Sequence, residues 1–166
     1  LRAIKKATTS NKLSIETNRY DLFWNKVLIP NLESRFNVSP VHTLAEITAL
    51  SQVFPDNIHC FTVHDEENIK AGVVIFENDN IAHFQYSAGT DSRNEDSALD
   101  FLFHEVCQKF LQKKIISFGS CTNGNNGRLI NKGLLYWKES FGAINIPQSF
   151  YKIDLQHIDP LNEVFN

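Results

Sequence analysis

Apolar residues recur along this chain at two periods, and the switches between them mark out its elements. Between Tyr20 and Phe36 the apolar residues Leu22, Phe23, Val27 and Leu28 share one stripe, with Pro30 disturbing the middle of the helix this predicts. Ser39-Pro40 breaks the chain. Thr43 and Glu46 then stand at the capping-box spacing, which opens a second helix that Pro55-Asp56-Asn57 ends. From there the period shortens to two. His59 to His64 alternates, Ile69 to Glu77 is rich in β-branched residues, and Ile81 to Tyr86 alternates again. The turns between them, Asp65-Glu66-Glu67-Asn68 and Asn78-Asp79-Asn80, are short enough to demand antiparallel hairpins.

The helical period returns at Leu99, Leu102, Phe103, Val106 and Phe110, after Ser97 as N-cap with Asp100 at the third helical position. Ile115 to Phe118 is a short strand reached through a helix, which permits parallel pairing. A Gly/Asn-rich loop leads to a last helix over Arg128 to Ser140, with Ile130, Leu134, Trp137 and Phe141 inward. Phe150 to Leu155 is the final strand. The fold class is mixed α/β (α+β): two helices and an antiparallel three-strand meander, followed by α-β-α-β. Such a sheet changes from antiparallel to parallel pairing and can splay there. A cleft is expected between Tyr86-Ser87-Ala88-Gly89 and Phe118-Gly119-Ser120-Cys121.

Composition narrows the reading. The 166 residues, 42% hydrophobic and 21% charged, suit one globular domain with a sizeable core. A net charge of −3 gives no general attraction to nucleic acid. Cys60, Cys107 and Cys121 are odd in number and far apart, which fits a reducing, cytoplasmic setting better than a disulfide framework. No Cys or His pairs have zinc-ligand spacing, so no metal is expected. No apolar run approaches the ~20 residues that span a bilayer. Residues 1–19 are polar, with Arg2, Lys5, Lys6 and Lys12, and read as a connector from a missing N-terminal region; residues 20–166 then form the domain.

The order of elements from His59 to Leu155 resembles the GNAT N-acyltransferase superfamily. Within it the chain looks most like the C-terminal GNAT-like domain of the Fem-like aminoacyltransferases and related bacterial acyltransferases. The matching residues are Gln85-Tyr86-Ser87-Ala88-Gly89, the helix from Ser97 to His104, Ile116-Ser117-Phe118-Gly119, and the run from Gly133 to Gly142. The resemblance implies transfer of an acyl group to an amine acceptor. The donor would be acyl-CoA such as acetyl-CoA, or aminoacyl-tRNA in the Fem-like branch.

The resemblance also implies site residues. Tyr136, five residues before Phe141, would protonate the leaving thiolate. Lys138 would stabilise negative charge in the transition state or hold a donor phosphate. Tyr86, Ser87, Ala88 and Gly89 would meet the acyl carbonyl through their backbone. From its own residues, the loop Thr122 to Gly127, with Asn126, and the adjoining Arg128 suits a polar acceptor or phosphate through amides and side chains, and suits a plain turn equally. The loop Thr90 to Asp96 departs from the pattern. It carries Asp91, Glu95 and Asp96 against one Arg93, without the paired glycines of a pyrophosphate cradle. Such a loop also suits a catalytically silent binding domain.

The residues themselves supply other readings. Trp137 shares the inward stripe and reads as core. His83 and His104 are the histidines nearest the expected cleft, where a neutral imidazole serves as base. His59 and His64 read as strand-surface residues. Cys121 lacks the neighbours of a thiol nucleophile.

Overall fold

A computed structural model describes residues 13–90, 97–123, 127–149 and 151. Its centre is a five-stranded sheet in simple sequential order. β1 (Leu13–Thr17), β2 (Ile58–Asp65), β3 (Asn68–Glu77) and β4 (Ile81–Gly89) pair antiparallel, and β5 (Ile115–Ser117) joins β4 in parallel. Helix α1 covers residues 20–36 as Tyr20–Leu22, a π-helical stretch Phe23–Leu28, and Ile29–Phe36. Helix α2 is Leu44–Val53, α3 is Ala98–Lys109, and α4 is Lys132–Glu139. A small separate hairpin pairs β6 (Thr122–Asn123) with β7 (Leu129–Ile130).

The helices sandwich the sheet. On one face Phe23, Trp24, Val27 and Leu28 of α1 and Ile47 of α2 pack on Cys60, Val74, Tyr86 and Ala88. On the other, Leu102, Phe103 and Val106 of α3 pack on Val63, Val73, Ile75 and Phe84, joined by Trp137 and Phe141 from α4 and the turn after it. Burying one such side chain contributes about 1.5–3 kcal/mol, so each face anchors the sheet independently. No helix among the described residues is long and apolar enough to cross a membrane.

Pro30 does not break α1. An imide has no N–H to donate, and its ring crowds the carbonyl one turn earlier. The chain widens into π turns over Phe23–Leu28 and resumes α geometry around the proline. The capping box forms as the spacing predicts. Thr43 Oγ1 accepts from Glu46 N–H at 3.2 Å, and Glu46 Oε2 accepts from Thr43 N–H at 2.7 Å. Thr43→Ala is expected to cost about 1 kcal/mol of unfolding free energy, read as a lower denaturant midpoint at unchanged slope. An unshifted midpoint would mean the cap is redundant.

Four expectations need correction. Residues 13–17, assigned above to a connector, are strand β1, because Leu13 and Ile15 alternate onto the α3 face of the core. With β1 in place, β2 is an interior strand, and His64 is buried rather than on the surface. Its Nε2 lies 2.9 Å from Thr62 Oγ1, and burial holds the ring below the ordinary histidine range. Ser97 precedes α3 with a left-handed φ of 54° and makes no side-chain cap. The last helix begins at Lys132, not Arg128. Leu129 and Ile130 pair in the small hairpin with exposed side chains, and Asn131 caps α4 by accepting from Leu134 N–H at 3.0 Å. The strand expected over Phe150 to Leu155 lies outside the described residues, apart from Tyr151.

Candidate functional site

The site begins where β4 and β5 part. Their parallel register runs Ile81↔Ile115, Ala82↔Ile116, His83↔Ser117 and stops. β4 continues to Gly89, whereas the chain after β5 leaves the sheet. Gly119 turns with φ +68°, Cys121 carbonyl accepts from Asn131 N–H at 2.8 Å, and Thr122–Asn123 takes its own partner in β7. Backbone hydrogen bonds that would have closed the sheet are spent elsewhere, so a cleft of about 860 Å³ stands between the strands.

A β-bulge shapes the β4 wall. Ile75 faces Phe84 and Val74 faces Tyr86, leaving Gln85 without an opposite residue. Ala82 and Phe84 therefore belong to the α3 face, while Tyr86 and Ala88 belong to the α1 face. Beyond the bulge, Thr90 N–H donates to Lys70 carbonyl on β3 at 2.8 Å. Strand alternation then directs the backbone groups of Ser87 and Gly89 to the open edge. Gly89 carbonyl there accepts from Asn31 Nδ2 at 2.9 Å.

Tyr86 ties this wall to α1. Its hydroxyl accepts from His42 N–H at 3.1 Å and lies 2.6 Å from His42 Nδ1. Trp24 Nε1 donates to His42 carbonyl at 3.0 Å. The segment after α1 is thereby locked beside the cleft.

Two titratable groups flank Gly119. His83 pairs opposite Phe76 and so lies on the α1 side of the sheet. Its Nδ1 is 2.9 Å from Ser117 Oγ. Burial first, then the charge of Lys138, hold His83 below the ordinary imidazole range, while a hydrogen bond to the Gln85 side chain opposes them. A β-carbon at position 119 would meet His83 Cε1 at an ordinary 3.5 Å, so it is the left-handed turn, not crowding, that calls for Gly119. Lys138 comes from the α4 side. It is only 7% exposed and donates to the carbonyls of Ser120 at 2.9 Å and Gly119 at 3.2 Å. Burial pushes its ammonium below the ordinary lysine range, with the Cys121 side chain beside it pulling the other way.

The other sequence-derived residues divide. Tyr86, Ser87, Ala88 and Gly89 line the cleft, as does Lys138. Tyr136 is 76% exposed and Arg128 is also exposed, and neither lines it. A helix turns 100° per residue, and in α4 the Lys138 and Trp137 positions face inward. Asn126 and the loop from Asp91 to Asp96 lie outside the described residues. Trp137 packs against Phe103 as its stripe predicts, and its Nε1 also donates to Asp100 Oδ1 at 2.7 Å beside the cleft. The sequence reading passed over Asn31 and Arg35, which carried no local signal, whereas Gly119 was expected in the cleft wall and Gln85 stood in a matching motif without a role. Among the described residues no three His, Cys, Asp or Glu side chains gather as a metal site.

Comparison with known proteins matches no family model and no curated sequence. Solved structures do match. An aminoglycoside acetyltransferase from an uncultured soil metagenomic sample, in complex with sisomicin, has a TM-score of 0.56 at 16% identity, covering 87% of this chain and 99% of that one. The ribosomal-protein-alanine N-acetyltransferase of Brucella melitensis biovar Abortus has a TM-score of 0.52 at 11% identity, covering 86% and 99%. A GNAT family acetyltransferase from Elizabethkingia anophelis with acetyl-CoA bound has a TM-score of 0.50 at 13% identity, covering 83% and 79%. The chain has the GNAT N-acyltransferase fold.

Proposed function

We propose that this domain is an N-acyltransferase that moves an acyl group from a coenzyme A thioester to a primary amine in the β4/β5 cleft. The observation that carries the reading is the parting of the strands at His83, just ahead of the bulge. The open β4 edge at Ser87 and Gly89 offers amide and carbonyl groups to an extended, amide-containing donor arm. The same backbone suits an oxygen that gains negative charge during attack. The solved structures of this fold that are acetyltransferases support the reading, one of them with acetyl-CoA bound.

The chemistry divides between the two faces. His83, on the α1 side and held neutral, takes the proton from the attacking amine. In the tautomer with the proton on Nδ1, 2.9 Å from Ser117 Oγ, Nε2 is the basic nitrogen that serves this role. The hydrogen bond that His83 donates to the Gln85 side chain then favours the imidazolium that forms. Lys138, on the α4 side, keeps the Phe118–Cys121 wall open and sets a positive charge near the departing thiolate. Tyr136 would need another conformation of α4 to act as leaving-group acid, so Lys138 carries that side of the proposal. The Fem-like branch, the missing N-terminal domain and an aminoacyl-tRNA donor rest on the resemblance of segments and on the Arg2 to Lys12 arm. Three free thiols favour a reducing compartment such as the cytoplasm.

Acetyl-CoA at about one hundred times its dissociation constant is expected to raise the melting temperature by about 5–10 °C. Adding an amine acceptor should then release free thiol. A protein that neither shifts with acetyl-CoA nor releases thiol from it is not an acyl-CoA transferase, and the tRNA-dependent or silent reading would replace this one.

A further inference from the structure

The cleft opens on both faces of the sheet, and the two mouths differ in chemistry. On the α3–α4 side its wall carries Asp100 and Lys138, both engaged by neighbours. On the α1 side the wall is built from Leu32, Arg35, Phe36, Val38, Pro40 and Val41. Phe36, Val38 and Val41 are 55%, 50% and 85% exposed, an unusual concentration of apolar surface at the rim of a cavity. Arg35 is the single charged side chain on this wall among the described residues, and it has no ion-pair or hydrogen-bond partner among them. The wall is preformed, because the His42–Tyr86 and Trp24–His42 hydrogen bonds anchor the segment that carries Val38 to Val41.

These features select a class of amine. Asp100, a carboxylate lining the described cleft, lies on the far side and accepts from Trp137, so a polycationic acceptor at this mouth would face Arg35. Arg35 would repel such a substrate and meets a carboxylate instead, with two N–H groups matched to its two oxygens. The exposed Phe36, Val38 and Val41 need an apolar group to cover them. His83 lies on this same face, where an amine entering would lose its proton.

We infer that the α1-side mouth binds an α-amino acid with a large apolar side chain, its carboxylate on Arg35 and its amine toward His83. The substrate class rests on the N-acyltransferase reading, but the pocket does not, and the test separates them. Titration calorimetry of the protein without donor should show saturable binding of L-phenylalanine. L-phenylalanine amide, which lacks the anionic carboxylate, should bind about ten- to one-hundred-fold more weakly, the range of a charge-assisted hydrogen bond. In Arg35→Gln the ratio between the two ligands should fall to about one, while the melting temperature stays put because Arg35 is exposed and has no partner among the described residues. Equal affinity for acid and amide in the wild type would overturn the inference, as would absent binding of L-phenylalanine or an unchanged ratio in Arg35→Gln. Kanamycin, a polycation, used as acceptor with higher kcat/KM than L-phenylalanine would overturn it too. Binding of L-phenylalanine that survives a failure to turn over acetyl-CoA supports the pocket and counts against the transferase reading alone.

Discussion

Replacing His83 with asparagine is expected to slow acyl transfer by about 10²–10⁴-fold, the range a positioned general base supplies. The wild-type rate should depend on pH in a direction that follows from the site. Burial and Lys138 depress the His83 pKa below 6.5, so the ring is neutral and basic at pH 7. As pH falls through that depressed value the ring takes a proton, and kcat/KM should drop. In His83→Asn this acid limb should vanish, leaving a slow rate with no inflection in that range. Retention of the limb, or a rate within about three-fold of wild type, would remove His83 from the mechanism. A melting temperature measured beside each rate separates lost chemistry from lost fold. Lys138→Met bears on the same coupling. Removing the cation should let the His83 pKa rise, moving the acid limb to higher pH.

Gly72→Ala is expected to be the most disruptive single-methyl change in the described core. A β-carbon at position 72 would lie 2.3 Å from Cδ2 and 2.7 Å from Cγ and Cε2 of Phe23. These are inner atoms of a fully buried ring, wedged edge-on against Trp24 at a centroid distance of 5.5 Å. The ring cannot rotate away, so α1 must lift from the sheet. Overpacking of this kind costs about 1–3 kcal/mol or more, a fall of about 2–12 °C in melting temperature for a chain this size. Phe23→Ala alone should cost about 3–5 kcal/mol through the cavity it leaves. The double variant should be more stable than the sum of the two losses requires, because each relieves the other. Strictly additive losses would show that the two positions do not meet. The change also bears on function. Gly72 pairs with Ala88, so lifting α1 displaces the Tyr86–Gly89 wall and the acceptor mouth together.

The elements legible in advance are those whose information is local. The Thr43–Glu46 box, the hairpin turns at residues 65–68 and 78–80, and the Leu99–Phe110 stripe each specify their own backbone over a few residues. Elements that depend on a distant partner were not legible. β1 has only Leu13 and Ile15 as apolar signal and exists because β2 offers an edge. The β6–β7 hairpin took Leu129 and Ile130 from what reads as helix, since pairing with Thr122–Asn123 outweighs weak helical pattern at that end.

The candidate site divides along the same line. Sequence alone determined that β4 ends in small residues beside a strand–loop–helix segment, and that Lys138 belongs to that segment. It also determined the α/β layer order, because turn chemistry and hydrophobic period act over neighbouring residues. Tertiary structure alone decided what those residues face. Ala82, Phe84, Tyr86 and Ala88 alternate without a flaw in sequence, yet the bulge at Gln85 sends the first pair to one side of the sheet and the second to the other. Within Tyr136-Trp137-Lys138, one turn of helix was plain, but which side chain enters the cleft depends on how α4 docks against Phe103 and Gly119. The cleft itself is a failure of two strands to stay paired. Its cause is hydrogen bonds made elsewhere by residues up to Asn131, a balance among distant partners that no local stretch of sequence encodes.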